Sequence, residues 1–215
     1  MNALNKGFDK KENNNVDNFI QCYDNVFSDI ECKYLIDSFE SSKRLHTSGD
    51  VIIENQKVND SSIKESTEIN IGPEFLEDEV WSPCLELILS RLSESMEKYI
   101  KRYEVYVDDG EVVGLDSISR WGIEERFNFQ KFEQNQGYKK WHCETSNGAS
   151  SSRVLTWMIY LNDVPDGGTY FLNNDTMEAR EGRLVIWPPY WTHFHKSQIS
   201  KKTTKYILTG WFSFF

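Results

Sequence analysis

The chain has 215 residues and a formal net charge of −10, enough length for one domain with a sizeable core. The acidic balance argues against a broad phosphate-binding surface, which needs clustered cations, so no nucleic-acid partner is expected. No stretch approaches the roughly 20 apolar residues of a membrane span, so no membrane partner is expected either.

Residues 1–17 are polar, rich in Asn and Lys, and lack the apolar segment of a signal peptide. They read as a disordered lead-in to a single domain over 18–215. Cys22, Cys32, Cys84 and Cys143 show no C-x-x-C spacing, which predicts free thiols and a cytoplasmic location. Ser28-Asp29-Ile30-Glu31 is a capping box. It opens a helix through about Arg44, with Cys32, Leu35, Ile36 and Phe39 on one stripe. Residues 46–78 carry few periodic signals and read as loop, with short strands at Val51–Glu54 and Ser66–Ile71. A second helix is predicted from Ser82-Pro83, a cap residue followed by proline. Leu85, Ile88, Leu89, Leu92, Met96, Tyr99 and Tyr103 then recur at helical spacing.

The texture changes after residue 104. Short β-rich runs follow at Arg126–Glu133, Val154–Leu161, Thr169–Leu172, Arg183–Trp187 and Lys205–Phe214, separated by turns such as Asp166-Gly167-Gly168. The predicted fold is mainly β with N-terminal helices: a sandwich or jelly-roll core over about 105–215, buttressed by two helices over about 28–104. Six of the seven tryptophans fall after residue 120, so large aromatic surface is buried or presented to a ligand in this half. Lys196, Lys201, Lys202 and Lys205 are a local exception to the acidic balance. The first three read as a solvated loop.

His142 and Glu144 are two residues apart, and on a strand such side chains share a face. His193 and His195 likewise share a face if Trp191–Lys196 is extended. Two imidazoles and one carboxylate can hold an iron ion by one face and leave the opposite positions open. Lys205 lies within an apolar run, Tyr206-Ile207-Leu208, where a buried ammonium needs an anionic partner.

Several segments, in this order, carry a family resemblance. They are W-H-C-E at 141–144, T-W-M-I-Y-L-N-D-V at 156–164, G-G-T-Y-F at 167–171, G-R-L-V-I-W-P-P at 182–189, T-H-F-H at 192–195 and K-Y-I-L-T-G-W at 205–211. Over residues 125–215 the chain resembles the Fe(II)/2-oxoglutarate-dependent oxygenases, in their prolyl 4-hydroxylase-like branch. The resemblance implies a double-stranded β-helix that uses Fe(II), 2-oxoglutarate and O₂, with ascorbate as a candidate reductant. In that family a basic residue follows the second metal histidine by about ten positions; Lys205 stands ten after His195. The implied ligands are therefore His142, Glu144 and His195. Lys205 and Tyr160 would take the distal carboxylate of 2-oxoglutarate, and Thr209 and Trp211 would line the pocket. Gln130, Tyr138, Trp141, Arg153 and His193 are further pocket candidates.

Two positions depart from the family pattern. Glutamate stands at 144 where aspartate is usual. Phe132 stands roughly where a tyrosine often contacts the co-substrate, and Gln130 or Tyr138 would have to supply that hydrogen bond. The implied activity is hydroxylation of an unactivated C–H bond with release of succinate and CO₂, the expected substrate being a prolyl residue in a peptide or protein. The competing readings are hydroxylation of a free amino acid or small metabolite, and a cupin-like metal-binding module or zinc hydrolase. The cupin-like rhythm Gly182…Pro188…His193 would select His193 as the ligand.

Overall fold

The computed structural model describes residues 18–53, 56–107, 110–146, 148–172 and 175–215. The lead-in expected over 1–17 lies outside the described residues. In chain order the elements begin with β1 (Gln21–Tyr23), α1 (Asp29–Ser41), β2 (Thr47–Ser48), β3 (Val51–Ile53), β4 (Gln56–Val58), β5 (Lys64–Glu65) and β6 (Thr67–Ile71). Next come α2 (Trp81–Tyr103), β7 (Val105–Tyr106), β8 (Val112–Val113), β9 (Trp121–Ile123), β10 (Phe127–Phe132) and β11 (Gly137–Tyr138). The last are β12 (Arg153–Tyr160), β13 (Val164–Phe171), β14 (Thr176–Ala179), β15 (Arg183–Trp187), β16 (His195–Ser197) and β17 (Lys205–Phe214).

The major sheet runs β1-β15-β12-β17-β10-β6-β2, with β9 also paired to β17, and a smaller sheet runs β14-β13-β16. All pairings are antiparallel. Together the two sheets form the jelly roll expected from the sequence. The alternation of β17 divides the interior in two. Leu208 and Phe212 join the cluster beneath the helices. Ile207 joins the cluster between the sheets, with Phe132, Met158, Tyr160, Phe171, Val185 and Trp187. On the helix side, Phe129 stacks on Phe39 at 4.5 Å and meets the edge of Trp81 at 6.1 Å. Such aromatic contacts add roughly 0.5–1.5 kcal/mol each beyond the area they bury.

The first helix keeps its capping box but ends at Ser41. A short 3-10 turn, Lys43–Leu45, follows. The second helix begins earlier than Ser82-Pro83. Asp78 Oδ1 accepts the backbone N–H groups of Val80 and Trp81 at 2.9 and 3.0 Å, which satisfies the free donors one turn sooner. The N-terminal half does more than buttress the core, because β1, β2 and β6 extend the major sheet.

Gly182 has φ +73, and a Cβ there would stand 2.1 Å from the Phe27 carbonyl oxygen. The Gly182 carbonyl in turn accepts the Val26 and Phe27 amides, so this turn ties β1 and α1 to the core. Gly182→Ala is expected to cost roughly 2 kcal/mol or more, from left-handed backbone strain with the clash added. A thermal melt with an unchanged midpoint would contradict that.

Candidate metal centre

His142 precedes the long loop into β12, and His195 opens β16. The two residues form an isolated antiparallel bridge: each backbone N–H donates to the other's carbonyl, at 3.0 and 2.9 Å. This places their imidazoles side by side, with ring centroids 4.3 Å apart. Glu144, two residues on, is fixed by its own N–H donating to the Pro189 carbonyl at 2.9 Å. Glu144 Oε1 then lies 3.3 Å from His142 Nε2 and 3.2 Å from His195 Nε2. One ligand atom from each of the three residues lies within 4.8 Å of the other two.

Both histidines are oriented through the opposite nitrogen. Nδ1 of His142 lies 3.0 Å from the Lys140 carbonyl, and Nδ1 of His195 lies 3.0 Å from the His193 carbonyl. A carbonyl can only accept, so each Nδ1 carries the proton and each Nε2 is left to face the carboxylate. Burial, reinforced by the neighbouring His195, pushes the His142 imidazole below its ordinary pKa. Burial alone would raise the Glu144 carboxyl, but the adjoining His142 and His195 imidazoles hold it well below the usual range. Neutral imidazole and ionised carboxylate are the forms that bind a cation.

The second oxygen of Glu144 is held from behind. Trp211 Nε1 donates to Oε2 at 3.0 Å. Arg153 Nη1 donates to the Glu144 carbonyl at 2.8 Å and stands 3.9 Å from Oε2. Its guanidinium lies 3.5 Å over the Trp211 ring, and its Nε donates to Glu124 at 3.1 Å. The longer glutamate thus reaches both imidazoles while Trp211 and Arg153 restrain its free oxygen. Trp211, expected along the pocket, is bound to the carboxylate itself.

His193 stands outside the cluster of three. Its Nε2 donates to the Asn18 carbonyl at 2.7 Å, and its Nδ1 lies 2.8 Å from the Thr192 hydroxyl. Tyr138 stacks on His142 with centroids 3.5 Å apart and planes 11° from parallel. Trp141 is exposed, with Lys196 over its ring. Gln130 is buried and donates to Glu68 at 2.9 Å. Glu68 also takes the Lys64 ammonium at 2.6 Å, and that ammonium lies 6.0 Å from the Tyr138 ring. Glu68 lies in the strand expected at Ser66–Ile71, but nothing in the sequence pointed to the side chains of Lys64 or Glu68 as part of the site.

Lys205 sits on the inner face of β17 with 3 % of its surface exposed. Its Nζ donates to the Gly167 carbonyl at 2.6 Å and lies 5.3 Å from the Phe132 ring. Phe132 therefore offers the ammonium a ring face where a tyrosine would offer a hydroxyl. Among the described residues no carboxylate pairs with Lys205. Burial pushes its pKa down to about 7, against a weaker opposing pull from Asp166. Tyr160 is fully buried with its hydroxyl 2.7 Å from that of Thr169. The Thr209 hydroxyl donates to the Trp157 carbonyl at 3.1 Å. Two further buried groups, Thr156 Oγ1 and Trp187 Nε1, have no hydrogen-bond partner among the described residues. They belong to residues paired across β12 and β15, and the Trp187 ring lies edge-on to His195 at 5.1 Å.

These residues suit the groups the sequence implied. Donors about 2.1 Å from a cation and at right angles stand about 3 Å apart, close to the spacings around Glu144 Oε1. Two imidazoles and a carboxylate form the facial set used by non-heme Fe(II). An unpaired buried ammonium suits an anion with a distal carboxylate.

Residues 127–213 match the family model described as the 2OG-Fe(II) oxygenase superfamily. This segment is a 2OG-Fe(II) oxygenase domain. The cofactor set of such oxygenases is Fe(II), 2-oxoglutarate and O₂. No curated protein matches the chain in sequence. Solved structures resemble it across most of its length. One is a viral collagen prolyl hydroxylase from Paramecium Bursaria Chlorella virus-1 in complex with 2OG, 18% identical, TM-score 0.62, covering 92% of this chain and 97% of that one. A prolyl-4-hydroxylase from Pseudomonas putida is 13% identical, TM-score 0.64, covering 92% and 94%. A prolyl hydroxylase from Trichoplax adhaerens, in complex with a hypoxia inducible factor oxygen degradation domain peptide fragment, is 15% identical, TM-score 0.66, covering 92% and 84%. At these identities the likeness speaks to the fold. Among the described residues, no helix is long and apolar enough to cross a membrane.

Proposed function

We propose that this oxygenase hydroxylates a prolyl residue in a peptide or protein, with His142, Glu144 and His195 holding Fe(II) and Lys205 anchoring 2-oxoglutarate. The observation that carries the assignment is the pairing of one buried, anion-less lysine with a converging two-histidine, one-carboxylate set. A hydrolytic zinc site would have no use for such a lysine. The prolyl substrate is supported by the fold shared with three solved prolyl hydroxylases. The four cysteines stand unpaired, in keeping with the cytoplasm as its location.

Bound Fe(II) with 2-oxoglutarate and O₂ would supply the oxidising power for the overall exchange in which 2-oxoglutarate, O₂ and the prolyl C–H become succinate, CO₂ and the prolyl alcohol, one oxygen atom going to succinate and the other to the substrate. The chain supplies position and shelter. The Lys140 and His193 carbonyls keep both Nε2 lone pairs aimed at one point. Trp211 and Arg153 restrain Glu144 Oε2, so Oε1 serves as the ligand. Lys205 takes the distal carboxylate, and Gly167 and Phe132 hold its ammonium in place. Tyr160, close to Thr169, has a hydroxyl proton to offer that carboxylate. Phe132, Ile207 and Trp187 exclude water from the space between.

The test is turnover with Fe(II), 2-oxoglutarate and a panel of proline-containing peptides. The expected result is succinate formation that rises with peptide, together with one added oxygen on a prolyl residue by mass spectrometry. Oxygen added instead to free amino acids or a small metabolite would replace the peptide reading. No succinate under any condition would remove the oxygenase assignment.

A further inference from the structure

Lys201 and Lys202 lie in an exposed loop as expected, but Lys196 belongs to β16. Across the His142–His195 bridge, strand alternation turns the two imidazoles inward and their neighbours Trp141 and Lys196 outward. Lys196 Nζ lies 4.8 Å from the Trp141 ring centroid. Beside this pair, on the outer face of the small sheet, is a cleft of roughly 330 Å³ whose lining includes Lys139, Asp166, Tyr170, Lys196, Gln198 and Lys201. Lys139 is neutralised by Glu65 at 2.9 Å. Asp166 is engaged by the Ser200 hydroxyl and the Lys201 backbone N–H. Among the described residues no carboxylate pairs with Lys196 or Lys201. Two lysines without an ion pair and an exposed tryptophan therefore flank a cleft one residue away from each metal histidine, and with the Asp166 carboxylate counted the cleft still carries a net positive charge on a chain whose net charge is −10.

We propose that this cleft is a docking site for an acidic segment of the polypeptide substrate, placing carboxylates on Lys196 and Lys201 while the target residue enters the metal pocket. The proposal rests on the peptide-hydroxylase reading and names the class of peptide. Two or three carboxylates match the two free ammonium groups. A longer polyanion such as a nucleic acid would meet the acidic remainder of the surface and be repelled. Local complementarity of this kind mainly selects the partner and raises the encounter rate.

The test measures binding without turnover, so it does not depend on hydroxylation being detected. Dye-labelled peptides of three Glu-Glu-Pro, Gln-Gln-Pro or Lys-Lys-Pro repeats are titrated with the full-length protein and followed by fluorescence anisotropy. The acidic peptide is expected to bind about 10-fold or more tightly than the neutral one at low salt, with the preference shrinking as salt screens it. Lys196→Gln with Lys201→Gln should erase the preference, and Lys196→Arg with Lys201→Arg should keep it, which separates lost charge from lost folding. Equal binding of the three peptides, or preference for the basic one, would overturn the proposal. So would an oligothymidylate binding more tightly than the acidic peptide. Absence of hydroxylated product alongside an intact acidic preference would count against the reaction reading and leave the docking site standing.

Discussion

Replacing Lys205 by methionine is expected to abolish succinate formation and, at the same time, to stabilise the protein in the absence of 2-oxoglutarate. Both effects follow from one observation: a buried ammonium whose only hydrogen-bond acceptor among the described residues is the Gly167 carbonyl. Without an anion its desolvation is uncompensated, and an apolar side chain of similar volume should gain on the order of 1–4 kcal/mol. With 2-oxoglutarate the balance reverses. Loss of one partner of a buried charge pair costs roughly 2–5 kcal/mol, so affinity should fall about 100-fold or more.

The pH dependence carries a definite sign. The folded pKa of Lys205 is lowered from 10.5 to about 7. The unfolded chain therefore binds more protons between those values, and stability rises with pH across that window. The advantage of Lys205→Met should be full below about pH 7 and fade as pH climbs towards 10.5. A bound carboxylate restores the charge, so 2-oxoglutarate binding near pH 8 should take up a proton, and affinity should weaken as pH rises past about 7. Titration calorimetry in two buffers of different ionisation enthalpy reads that proton directly. A variant that melts lower than the parent, or binding without proton uptake, would place Lys205 in another role.

The second large effect concerns the histidines. His142→Ala and His195→Ala should each lower Fe(II) affinity by more than the roughly 10–100-fold that loss of an outer partner costs, and both should eliminate turnover. His193→Ala should bind metal nearly as well as the parent, because both its ring nitrogens are engaged elsewhere, by Asn18 and Thr192. Equilibrium metal titration under anaerobic conditions separates these cases. Retained affinity in His195→Ala with loss in His193→Ala would reassign the ligand.

Much of this site is legible before any coordinates. A strand places i and i+2 on one face, so His142 and Glu144 could be paired from spacing alone. The apolar runs at 183–187 and 205–214 read as strands with the bounds the structure gives them. The edge strands β1 and β2 were harder to read because they are short and draw their order from distant partners, Gln21 on Ile186 and Thr47 on Glu68 among them, whereas β6 was expected at Ser66–Ile71 and lies at Thr67–Ile71. The same non-locality hid Arg153, Trp211 and Glu124 as one chain of contacts behind Glu144, and Lys64 and Glu68 behind Gln130. The lysines after His195 looked like a solvated loop because sequence gives no sign that Trp141 lies under one of them. Helix starts depend on which side chain reaches the free amides, and Asp78 reached them before Ser82 could.

The account rests on a metal and a dicarboxylate sharing one pocket, each held by its own side chains. The most direct measurement is calorimetric titration of 2-oxoglutarate into oxygen-free protein, with and without Fe(II), for the parent and Lys205→Met. Tight one-to-one binding that needs both the metal and the lysine is the predicted result. Binding that is indifferent to either one would contradict it.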